Sequence, residues 1–193
     1  LADMRARGID PYATSFTRTA TNKSVRDEFS ELGPDERTGK TVSIAGRVML
    51  NRVSGKLCFA TLRDWTGDLQ VMVSLNDAGE ENLAAWKSDV DLGDIVGVTG
   101  EVITSKRGEL SVLASDFVIT SKCLVPLPDK HKGLNDPEAR VRQRHVDLIV
   151  NPEAREMLAM RSEMVRAIRE QLWDRDYLEV ETPMMQRVHG GAN

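Results

Sequence analysis

This sequence is poor in the features that usually announce a chemistry. Only two cysteines, Cys58 and Cys123, occur in 193 residues. Two thiols do not make the disulfide framework of a small secreted domain, and a cytosolic setting fits them. No apolar run approaches the roughly 20 residues that a membrane span needs, and no signal peptide is visible at the N-terminus. Basic charge is not in excess: 26 Lys and Arg stand against 30 Asp and Glu, a formal net charge of −4. That excludes a generally basic nucleic-acid coat but leaves room for a local patch. The three histidines, His131, His145 and His189, lack metal-ligand spacing, so no zinc site is expected. No Ser/His/Asp set and no paired carboxylates can be argued either.

What is present is enough apolar residue, 40% of the chain, for one large or two small domains with proper cores. Residues 1–39 are polar and poorly periodic. "LADMRARGID" reads as a helix end stopped by Gly8, an extended stretch follows through Asn22, and a short helix is expected near Ser24 to Leu32 with Ser24 as N-cap. From Thr41 the pattern becomes strands and turns. "TVSIAGRVMLNRV" is the first strand, with Gly46 suggesting a bend or bulge. "LCFATLRD" and "LQVMVS" follow, then "GEENLAAWKSDV", whose Leu83, Trp86 and Val90 share one helical face. "DIVGVTGEVITSK" and "ELSVLASDFVITSK" complete the set. Three strands, a helix and two strands, with glycines bending the long ones, predict an all-β five-stranded OB-fold Greek-key barrel with its helix between strands 3 and 4. A plain antiparallel sandwich is the alternative.

"GKLCFATLRD", residues 55–64, poses the question of function. Cys58, Ala60 and Leu62 make an inward face, because side chains alternate along a strand. Phe59 then points outward, where a large aromatic meets water. Arg52 and Gln70 fall on neighbouring strands, and Glu109 opens the fifth. OB folds bind strands of nucleic acid on the strand 2–3 face. Such a site needs an aromatic to stack a base, amide or carboxylate groups to read its edge, and cations near phosphate. Phe59 supplies the first, Gln70, Glu109 and Arg52 the second, and Lys56, Lys106 and Arg107 the third. Spacing alone equally allows Phe59 to pack beneath a loop and the charges to be solvated surface.

Pro126 and Pro128 mark "LVPLPDKHKGLND" as a linker. "DPEARVRQRHVDLIV" is a helix with Asp136 as N-cap and Pro137 at its first position. Its basic "VRQRHVD" reads as a charged helix face, with phosphate contact as the lesser alternative. Asn151, Pro152 and Glu153 repeat the capping device. Met157, Met160, Met164, Ile168 and Leu172 then recur at helical steps, which predicts an amphipathic helix with a buried face, its methionines serving as core filler. "YLEVETPMM" reads as a short strand ended by Pro183. The expected domains are an N-terminal segment 1–39, the barrel 40–124, a linker and junction helix 125–150, and a helical and mixed segment 151–193.

"DLGDIVGVTGEVITSKRGELSV", "PLPDKHKGLNDPEARVRQRHVDLIVNPEAR" and "YLEVETPMMQRVHGGAN" together resemble the class II lysyl-tRNA synthetases, in order and over essentially the whole chain. "YLEVETPMM" resembles motif 1 of class II enzymes, which the aspartyl and asparaginyl relatives share. The following "HGGAN" resembles the Gly-Gly-Ala of the lysyl enzymes. The resemblance implies an α+β class II catalytic domain beginning near residue 151. It implies that Phe59 stacks under the central uridine of the tRNA(Lys) anticodon and that Arg52, Gln70 and Glu109 contact anticodon bases. It also implies that Gly190 helps hold the amino group of substrate lysine, and that motif 1 with Pro183 builds a homodimer interface. The parent enzyme is expected to use ATP and Mg2+ in the cytoplasm. With these, it would adenylate lysine and transfer it to tRNA.

Motifs 2 and 3, whose arginines hold ATP in that class, do not occur among these residues, and no metal–ATP carboxylates are recognisable, so this segment is expected to bind tRNA without catalysing. Two other readings stay open. One is a non-catalytic OB-type tRNA-binding module. The other is the synthetase half of an actinobacterial lysylphosphatidylglycerol fusion, suggested by "LRDW", "SKCL" and "HGGA"; it would be membrane-attached through an upstream half. Residues 1–193 alone should show no lysine-dependent ATP–pyrophosphate exchange. Measurable exchange would contradict the assignment of catalysis to motifs outside this segment.

Overall fold

Period-two alternation of small aliphatic residues builds the first half of the molecule. The computed structural model describes residues 1–128, 133–185 and 190, which form two compact units, Leu1–Leu127 and Pro128–Asn193. In the first unit five strands are hydrogen-bonded in a closed ring. They are β1 (Arg37–Ser54), β2 (Leu57–Arg63), β3 (Asp68–Ser74), β4 (Ile95–Thr104) and β5 (Leu110–Ser121), in the order β1-β2-β3-β5-β4. Neighbours are antiparallel except β3 and β5, which run parallel. The closed order leaves no unpaired edge, which removes the usual route to edge-to-edge association. Cys58, Ala60 and Leu62 of β2 and Leu69, Val71 and Val73 of β3 are buried inside, the inward face that the alternation predicts.

The 18-residue β1 pairs with β4 through its first half and β2 through its second. Gly46 sits where it bends between them: a Cβ there would lie 2.8 Å from the Arg63 carbonyl oxygen. Gly100 plays the same part on β4, where a Cβ would lie 2.1 Å from the Leu113 oxygen. The break in the β1–β2 register lies a little further along than the sequence suggests, between Val48 and Leu50.

Helix α3 (Leu75–Asp89) runs between β3 and β4. It begins earlier than its apolar spacing indicates, because Ser74 caps it by accepting from the Asp77 N–H, and it kinks at Gly79. Its Trp86 is fully buried, packs edge-on against Phe117 at 4.9 Å and donates to Asn51 Oδ1. Helices α1 (Ala2–Ala6) and α2 (Asn22–Glu28) precede the strands. Ser24 is not the cap of α2. Thr21 is, and Ser24 stands at the third helical position and bonds back to the Thr21 N–H, completing a capping box.

A buried charge cluster fastens both ends of this unit. The Lys122 ammonium donates to Asp94, Asp91 and the Asp89 carbonyl, at 2.5, 2.7 and 2.7 Å. Burial works to lower the ammonium's pKa, but the bonds to Asp91 and Asp94 outweigh it and raise the value. Arg7 of the N-terminal segment clasps Asp89 with two bonds and holds its carboxyl below the usual range.

The second unit contains α4 (Pro137–Arg142), α5 (Arg144–Val150) and α6 (Pro152–Trp173). Asp136 caps α4 through the Ala139 N–H, but the single helix expected here is two, broken at Gln143 (φ −111, ψ 49). The fully buried Asp147 explains the arrangement. It accepts from Arg140, Arg144 and Asn151 at 2.5–2.7 Å. The Asn151 bond, with the two arginines, lowers its pKa against burial. Asn151 is therefore committed to Asp147 and the Leu134 carbonyl and makes no side-chain cap on α6. Arg140 and Arg144 are likewise spent on Asp147, and Arg142 on Glu138, which favours the charged-face reading of "VRQRHVD".

Two further expectations fail. The α6 stripe is not a buried core face: Met157, Met160 and Met164 are 64%, 61% and 60% exposed, because nothing among the described residues covers it. Residues 177–183 form no strand, since a strand needs a hydrogen-bonding neighbour and none is present among the described residues. Replacing Asp94 with Ala removes the buried partner of Lys122, which keeps Asp91 and the Asp89 carbonyl, and leaves the Asp91 and Cys123 N–H groups without their acceptor. It should lower unfolding free energy by about 1–3 kcal/mol in urea titration. A loss below about 1 kcal/mol would show that the cluster is not a buried pair.

Candidate nucleic-acid interface

The strand register assembles one outward patch from four strands. Arg52 stands opposite Phe59, Phe59 opposite Met72, Thr61 opposite Gln70, and Gln70 opposite Ser111. Arg52 reaches this face only through the irregularity after Val48. On an unbroken β1, alternation from the buried Val48 would send Leu50 and Arg52 inward. One extra residue at Met49 exchanges the faces. Asn51 then turns in, to bond Trp86 and the Val90 carbonyl, while Leu50 and Arg52 line the patch.

The patch is the floor of a groove of about 510 Å3 lined by Arg52, Phe59, Gln70, Lys106, Arg107 and Glu109, with Asp35, Thr61 and Met72 among others. Six of the seven side chains expected at a base-reading site therefore converge. Lys56, in the β1–β2 turn, is exposed but does not line the groove. Phe59 is half-buried rather than fully open, with Arg52 and Met72 as its cross-strand neighbours. Lys106 and Arg107 are exposed in the β4–β5 turn, which Gly108 closes at φ +82. Gln70 Nε2 donates to Ser111 Oγ at 2.8 Å.

Glu109 differs most from expectation. Its carboxylate lies 3.7 Å from Arg26 of α2, both side chains about half exposed (54% and 45%). Arg26 is itself anchored by donating to the Asp68 carbonyl at 2.7 Å. An exposed pair of this kind contributes about 0–1 kcal/mol, so it orients Glu109 without withdrawing it from the groove. Sequence spacing gives no signal for Arg26 or Ser111, because both depend on contacts between distant segments.

The remaining expected residues stand elsewhere. Pro183 is exposed. Gly190 is exposed, with open space among the described residues where its Cβ would be. His131, His189 and the rest of "HGGAN" lie outside the described residues. Among the described residues, no group of three or more His, Cys, Asp or Glu could hold a metal ion. No helix there is long and apolar enough to cross a membrane.

Comparison with known proteins bears on this arrangement. Residues 42–120 match the OB-fold nucleic acid binding domain, and residues 136–193 match the class II tRNA synthetases (D, K and N). The first unit thus resembles an OB-fold nucleic acid binding domain, and the second resembles part of a class II synthetase of the aspartate, lysine and asparagine group. Among known proteins, the chain is similar to lysine–tRNA ligases over nearly its whole length. It is 56% identical over 188 residues to the lysine–tRNA ligase of Mycolicibacterium gilvum, covering 97% of this chain and 37% of that protein. It is 54% identical over 192 residues to the lysine–tRNA ligase of Mycobacterium tuberculosis, covering 99% and 38%. The lysylphosphatidylglycerol biosynthesis bifunctional protein LysX of Rhodococcus jostii is 46% identical over 193 residues, 17% of its length. The chain thus spans less than two fifths of the lysine–tRNA ligases that it matches.

The thiol behind Phe59 offers a check on the strand faces. Cys58 is buried, and burial pushes its pKa up, whereas Cys123 is partly exposed. In the folded chain Ellman's reagent should modify Cys123 promptly and Cys58 only after unfolding. Equal rates for the two thiols would contradict the inward placement of Cys58.

Proposed function

We propose that this chain is the anticodon-binding portion, with the opening segment of the catalytic domain, of a lysine–tRNA ligase. The groove would read the anticodon of tRNA(Lys). Phe59 stacks on the central uridine. Arg52, Gln70 and Glu109 meet base edges, Lys106 and Arg107 neutralise backbone phosphate, and Lys56 does so from outside the groove rim. The observation that carries this reading is the convergence of one half-buried aromatic, three edge-reading polar groups and two rim cations on a single OB-fold face. We read the ring as a Greek-key barrel over residues 40–124, preceded by the segment 1–39 and followed by a linker and junction over 125–150.

The parent protein would activate lysine with ATP and Mg2+ and transfer it to tRNA in the cytoplasm. It would do so by orienting the reactants and stabilising phosphate charge. The arginines of motifs 2 and 3, which would hold ATP, are not recognisable in this sequence, so on this reading that chemistry falls to the rest of the parent enzyme. Gly190 would lie beside the substrate amino group. The exposed stripe of α6 and the extended chain to Pro183 would form the dimer interface, which is consistent with a methionine-rich face that nothing covers among the described residues. The lysylphosphatidylglycerol role is the second reading, supported by the full-chain likeness to LysX; the higher identity to the ligases favours the first.

Phe59→Ala should weaken binding of a lysine anticodon stem-loop by about 1–3 kcal/mol, the range for loss of one base stack, in fluorescence anisotropy. Lys106→Ala should lower affinity for all loops alike and flatten the salt dependence. Unchanged affinity for the first variant, or a base-selective loss for the second, would contradict these roles.

A further inference from the structure

We infer that Ser111 is a positioning residue that fixes the amide orientation of Gln70 and so decides which pyrimidine edge the groove accepts. The inference rests on the anticodon-reading role proposed above. Ser111 is fully buried, so its hydroxyl has no water to turn to. Its one proton goes to the Glu109 carbonyl oxygen at 2.9 Å, an atom that can only accept. Towards Gln70, 2.8 Å away, Ser111 Oγ is therefore an acceptor. Gln70 must present Nε2 to it, and a flipped amide would place two acceptors face to face. The same Glu109 carbonyl also receives the Ser105 N–H at 2.9 Å. The chain of bonds thus ties the amide to the turn that carries Lys106 and Arg107.

The orientation matters because an amide can pair with either pyrimidine. Read from position 4 to position 3, uracil offers an acceptor and then a donor, and cytosine a donor and then an acceptor. A carboxamide complements both patterns, but in opposite orientations. A freely turning Gln70 would serve both bases. One locked by Ser111 serves one, which on the reading above is uridine.

The test uses the 193-residue chain and two anticodon stem-loops that differ only in U or C at the central position. Wild type should prefer U. Ser111→Ala should reduce the U:C affinity ratio about tenfold, the scale of one lost discriminating hydrogen bond. Ser111→Cys, close in size and a poor donor, should move it in the same direction. In a Gln70→Leu background Ser111→Ala should change nothing further. The Gln70 side-chain amide signals in a 15N NMR spectrum should shift in Ser111→Ala without any RNA, while backbone signals of β3 confirm the fold. A U preference that survives Ser111→Ala, or additive effects in the double variant, would overturn the inference alone. A wild-type chain that binds both loops equally would overturn the anticodon reading, and the inference with it, even where the Gln70 signals shift.

Discussion

The register of β2 against β1 and β3 determines which side chains meet the core and which meet the groove. A slip of one residue would exchange the two faces. Phe59 would enter an interior now filled by Cys58, Ala60 and Leu62, and three small apolar residues would reach water. The core forbids this, because interiors are close-packed and a phenyl ring does not fit where an alanine sat. Stability and recognition therefore share one constraint. The valine-rich interior that holds the ring closed also fixes Phe59 across from Arg52 and Met72, and Gln70 across from Ser111.

That dependence explains what could be read from sequence. Alternation in "LCFATLR" and "DLQVMVS" is a local property, and it correctly placed Cys58 inward and Phe59 outward. The extra residue at Met49 left no local trace, since Gly46 is the more obvious irregularity. Without that residue Arg52 would face the core. The role of α2 was also hidden. Its capping box is written in Thr21 and Ser24, but Arg26 reaches Asp68 and Glu109 only once the chain has folded back over the strands. Asn22 shows the same folding back, donating from its side chain to the Leu62 and Gly67 carbonyls.

The second unit follows a different logic. Its polar centre is Asp147, whose buried carboxylate draws in Arg140, Arg144 and Asn151, and so consumes charges that the sequence displays as a basic run. Its apolar stripe on α6 has the right period for a core face yet lies open among the described residues. Period reports that a face is destined for burial and cannot say by what. The same holds for residues 177–183, whose β-rich composition specifies a strand only when a partner supplies the other half of the ladder.

Similarity to lysine–tRNA ligases, an OB fold and a groove with one aromatic among polar groups all support the proposed account, in which this face selects the tRNA by its anticodon. Its central claim is that the middle anticodon base lies on Phe59. A stem-loop carrying 5-iodouridine at that position, irradiated in complex with the chain and mapped by mass spectrometry, tests it directly. The account predicts the crosslink on Phe59. A crosslink on residues outside the groove would contradict it.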